Sequence, residues 1–160
     1  MQTPEPMIPP RQDDDRYDER PSLRPAVQGY WGERLAWVSG LLLAVSAFTD
    51  WYAGSSADGL TLSVTGWHTG ALGKLVFFCG LAALILEALR EAGIELPATV
   101  PESLVLIALG SLATIFVLIR VISIPDTFFD TAGRGIGIFI SLVAALALIA
   151  SGLLRAAEEL

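Results

Sequence analysis

The sequence predicts an all-α fold, an integral membrane four-transmembrane-helix bundle preceded by a disordered N-terminal tail. Three observations lead there. Hydrophobic residues make up 53% of the 160 residues, and the mean hydropathy of +0.59 is far above that of an ordinary soluble domain. Charged residues are only 17%, against roughly 25% in soluble domains, and they collect at the ends and between apolar runs. Four of those runs approach the about 20 residues that a helix rising ~1.5 Å per residue needs to cross about 30 Å of hydrocarbon.

Residues 1–33 hold six of the nine prolines and the block "RQDDDRYDERPSLRP". Such a segment buries too little apolar surface to offset its conformational entropy, so a disordered tail is expected there. The first span is placed at about 34–53. It is charge-free only from Leu35 to Thr49, but Trp31 and Trp37 at one end and Trp51 and Tyr52 at the other fit interface anchors at headgroup level, as does Trp67 in the next connection. The second span, about 70–89, is uninterrupted only over "LVFFCGLAALIL". It is completed by letting Lys74 snorkel toward the surface. A third span, about 102–123, is built on "SLVLIALGSLATIFVLI", and a fourth, about 135–154, on the charge-free "GIGIFISLVAALALIASGLL". Residues 156–160 are then a short tail. Gly93, Pro97 and Pro101 punctuate the connection between the second and third spans, and "IPDTFFDTAGRG" does so before the fourth.

Four spans put the N-terminal tail, the 90–102 connection and the C-terminus on one side, with Arg11, Arg16, Arg20, Arg24, Arg34, Arg90 and Arg155. The other side holds Lys74, Arg120 and Arg134. Lys/Arg bias therefore predicts a multi-pass protein of the cell membrane with both termini cytoplasmic. Reading "LAWVSGLLLAVSA" as a signal peptide is the alternative; the long acidic stretch before it argues against that.

Composition also excludes several chemistries. A net charge of −7 with no basic face argues against nucleic acid as a partner. One cysteine, Cys79, allows no intramolecular disulfide, and one histidine, His68, allows no multi-histidine metal centre. No HExxH, GxSxG or phosphate-binding loop occurs, so no catalytic residue, metal or cofactor is implied. Small residues instead recur every four positions at Gly133, Gly137, Ser141 and Ala145, and again at Ala36, Gly40 and Ala44. Ridges of this kind let helix backbones approach closely, within one chain or between chains.

Asp50, His68, Lys74, Arg120, Asp126, Asp130 and Arg134 all fall near the outer ends of the spans, where ionisable groups are costly unless paired or hydrated. Ion pairs are expected, Asp50 with Lys74 or Arg120 and Asp126 or Asp130 with Arg134. The competing expectation is a pocket for a lipid headgroup or small anion, capped by Trp51 and Trp67. Glu87, three residues before Arg90, reads most simply as a helical ion pair with it.

The first span closing on "WY", the Gly/Ser-rich outer loop ending "TGW", the later "ALREAGIELP" and "RVISIPD", and the Gly-rich fourth span together resemble small uncharacterised four-span membrane proteins of actinobacteria. The resemblance covers roughly residues 34–155 and implies an envelope location without an activity. The function expected from the sequence is non-enzymatic: a structural or accessory subunit in the lipid bilayer, associating with itself or another membrane protein through the small-residue ridges. The alternative is a binder or transporter of a lipid headgroup or small anion at the outer polar cluster.

Overall fold

The computed structural model describes residues 23–55, 61–94, 100–123 and 132–159. Four helices run alternately up and down: α1 Leu23–Ser46, α2 Ala71–Glu91, α3 Glu102–Ile122 and α4 Ile136–Glu159. Helix α1 packs against α2 and α4, and α3 packs against the same two. Three of the helices, α2, α3 and α4, are long and apolar enough to cross a membrane. In α1 the polar residues Glu33 and Arg34 interrupt the apolar run.

Large apolar side chains stand on both sides of the helices. Val38, Phe78, Ile115 and Val143 are about half exposed or more, at 54%, 53%, 53% and 67%, while the interior holds Leu43, Val76 and Leu148 together with Ala36, Ala83, Ala113 and Ala145, all at 0%. The alanines mark places where close backbone contact joins the helices. A Cβ added to Gly80 would sit 2.6 Å from the Ala44 backbone nitrogen, so α1 and α2 touch there backbone to backbone. A Cβ on Gly137 would sit 2.2 Å from Thr49 Oγ1 and 2.8 Å from the Asp50 carbonyl oxygen. Ser141 Oγ lies 2.8 Å from Ser46 Oγ. Gly137, Ser141 and Ala145 and Ala36, Gly40 and Ala44 are buried inside this chain. Gly133 departs from the expected ridge: it is exposed and lies in a strand before α4 begins.

The first span differs from expectation in both directions. Residues 23–33, assigned to the tail, are already helical, starting two residues before Pro25, a residue tolerated in the first turn because its missing N–H would be unpaired there anyway. At the other end α1 stops at Ser46, not near residue 53. The stop is made by side chains: Thr49 Oγ1 donates to the Ser46 carbonyl at 2.7 Å and Trp51 Nε1 donates to the same oxygen at 2.9 Å. Residues 1–22, the remainder of the predicted tail, lie outside the described residues.

The connection after α1 also departs from the expected flexible loop. Strands β1 (Asp50–Ser55) and β2 (Thr61–Thr65) pair antiparallel, and β3 (Ala132–Arg134) adds on the other side, giving the order β2-β1-β3. Tyr52 stands opposite Val64 in one register and Arg134 in the other. A short 3-10 turn, Gly66–Thr69, then leads into α2. The 90–94 segment behaves as the sequence indicates. Gly93 adopts φ +74°, and the N–H groups of Gly93 and Ile94 bond to the carbonyls of Arg90 and Leu89, a left-handed glycine stop that satisfies the helix's last carbonyls.

Candidate functional site

Polar side chains gather at the two ends of the helices. At the sheet end, β1 carries Trp51 and Tyr52 inward, at 0% and 1% exposure. The expectation that these two rings face the headgroups is corrected: they plug the end of the helix assembly and touch protein. Alternation along a strand turns successive residues to opposite faces, yet both are buried here, Trp51 beside Gly66 of the 3-10 turn and Tyr52 against the end of α3. Tyr52 Oη donates to the Arg120 carbonyl at 2.7 Å, tying the sheet to the last turn of α3. Burial pushes the Tyr52 phenol above its ordinary pKa, against a smaller opposing effect of the positive charges of Arg120 and Arg134.

The cations of this end are bonded to neutral groups. Arg120 Nη2 donates to the Thr69 carbonyl oxygen, and Arg134 Nε donates to the Val121 carbonyl at 2.7 Å. Lys74 Nζ lies 5.5 Å from the centre of the Trp67 ring, within cation–π range. His68 Nδ1 shares a hydrogen bond of 2.8 Å with Thr65 Oγ1. Among the described residues no ion pair joins Asp50 to Lys74 or Arg120, and Asp50 is exposed. Asp126 and Asp130 lie outside the described residues. Trp67 instead joins an aromatic cluster, stacked on Phe48 at 5.4 Å and edge-on to Phe77 at 5.5 Å.

The opposite end holds what sequence reasoning misplaced. Glu87 is 1% exposed, and its Oε2 accepts from Arg155 Nη2 of α4 at 2.6 Å, so its partner is Arg155 across the helix assembly and not Arg90 on its own helix. Arg155 Nη1 lies 3.9 Å from Glu102 Oε2, and Arg90 Nε lies 3.7 Å from that oxygen. The four residues thus join α2, α3 and α4. The signal for this was present in the spacing: Val76, Gly80, Ala83 and Glu87 follow one another at three- and four-residue steps along a buried stripe. A glutamate at the end of such a stripe points inward.

A cleft of about 480 Å³ opens at this same end between α1 and α2, lined by Tyr30, Glu33, Arg34, Trp37, Val38 and Glu91. Of the remaining expected anchors, Trp31 is 62% exposed, whereas the indole N–H of Trp37 is buried with no acceptor among the described residues. No family model matches the chain, and neither a curated protein nor a solved structure does.

Proposed function

We propose that the chain is a non-enzymatic cell-membrane protein that crosses the bilayer four times as a helix bundle, with both termini cytoplasmic, and serves as a structural or accessory subunit. One observation carries this reading: among the described residues, most buried polar side chains bond to their own helix or to a neighbouring one. Ser39, Ser46 and Ser151 each donate to a carbonyl three residues back, and Ser141 bonds both Gly137 and Ser46. The buried charges Glu87 and Arg155 neutralise one another. Helix α1, lying alongside α2 and α4, supplies the fourth crossing, with Glu33 and Arg34 at headgroup level beside the exposed Trp31.

The role of the ridges changes in this reading. They make the block rigid, and association falls to the apolar outer faces that carry Phe78, Ile115 and Val143. A photo-crosslinking residue placed at each of these three positions in cells tests it. Discrete protein adducts from one face are the expected outcome. Adducts to lipid alone from all three faces overturn the subunit role.

A further inference from the structure

The cleft between α1 and α2 has the chemistry of a two-ended ligand. Arg34 offers donors and positive charge, while Glu33 and Glu91 offer carboxylates. The Arg34 guanidinium lies 4.5 Å from the centre of the Tyr30 ring, which holds it at the rim while leaving its N–H groups available to an anion. Below the rim the wall turns apolar. Val38, Leu41 and Val45 are 54%, 54% and 52% exposed and follow Arg34 at helical steps of four, three and four, so they form a stripe running from the cleft along α1.

We propose that this cleft binds the headgroup of an aminophospholipid, with an acyl chain laid on the Val38, Leu41 and Val45 stripe. The phosphodiester takes the donors of Arg34, and the primary ammonium takes the carboxylates of Glu33 and Glu91. A choline headgroup has no N–H to give those carboxylates. A glycerol headgroup brings no positive charge to them and leaves the two acids facing a net anion. A free phosphoamine satisfies the rim but leaves the stripe uncovered. The proposal rests on α1 being a span, because only then does the stripe face lipid.

Native mass spectrometry of the full chain in detergent, offered equal amounts of ethanolamine, choline and glycerol phospholipids, tests the proposal. The ethanolamine lipid is expected to be retained about tenfold over the other two, as one charge-assisted contact implies. Glu91→Gln should abolish the preference and Arg34→Ala should weaken retention of all three lipids, both substitutions lying at exposed positions. Equal retention of all three lipids, or a preference that survives the Arg34→Ala and Glu91→Gln double variant, overturns the site. Competition by free phosphoethanolamine at lipid-equivalent concentration overturns the acyl contact. Thiol labelling of Gln28→Cys and Leu62→Cys in a Cys79→Ala background separates the two levels of the argument. Opposite-side labelling without lipid preference defeats the site alone, and same-side labelling defeats the α1 span and the site with it.

Discussion

Glu87 and Arg155, 68 positions apart in sequence, meet at 2.6 Å with side chains 0% and 7% exposed. Breaking such a pair strands a charge in a poorly solvated place, which costs about 3–5 kcal/mol, whereas replacing both partners by apolar residues of similar volume is often neutral. Glu87→Ala and Arg155→Ala should therefore each lower thermal stability in detergent sharply. The Glu87→Leu, Arg155→Met pair should recover most of the loss. Equal damage from the double variant would show that the pair's role lies in placing Glu102 and Arg90.

The close approach at the start of α4 predicts a contrast between Gly137 and Gly133 of β3. Gly137→Ala drives a methyl group into Thr49 Oγ1 and the Asp50 carbonyl, so a loss of about 1–3 kcal/mol is expected from overpacking. Gly133→Ala meets only the Ala53 carbonyl at 3.4 Å and should change little. Melting curves of the two variants, run beside the parent chain, measure the difference.

Alkaline pH should act through Tyr52. Its phenol is held above the ordinary value of 10.0 by burial, so between that value and the folded one the native state keeps a proton that the unfolded state has lost. Stability is full below pH 10 and falls as pH rises through the folded value. Tyrosinate absorbance should show Tyr52 ionising above pH 10, and Tyr52→Phe should remove that step. The same variant forgoes the bond to the Arg120 carbonyl, at a cost of about 1 kcal/mol.

Sidedness has a direct measure. Cysteine at Ser63, in β2, and at Ile94, beyond the end of α2, should react with a membrane-impermeant thiol reagent from opposite faces in a Cys79→Ala background. Labelling of both from one face would mean that α2 does not cross.

The helices were legible because apolar length reports them directly: α2, α3 and α4 lie within two residues of the expected starts at 70, 102 and 135. The end of α1 was not, because Ser46 accepts bonds from Thr49 and Trp51, and nothing local in "AFTDWY" distinguishes that from a continuing helix. The sheet was hidden for a different reason. Its central strand finds partners in segments about 10 and 80 residues away, and "DWYAGS" shows none of the alternation that marks a half-buried strand. At the charged ends, residue type identified which side chains mattered. Pairing depended on which helix lay across the way, and Arg155 was invisible to a search that looked only three or four residues along.

The order β2-β1-β3 bears on how the protein is made. On the four-span reading, the first hairpin of helices brings β1 and β2 together once it is inserted, but one edge of β1 stays open until Ala132–Arg134 arrives from the last connection. That connection reaches the sheet once α3 has followed. Closure of the β1–β3 edge would then be a molecular receipt for the second hairpin's first helix, and a chain stalled before it would present an unpaired strand edge that quality-control proteases or chaperones can read.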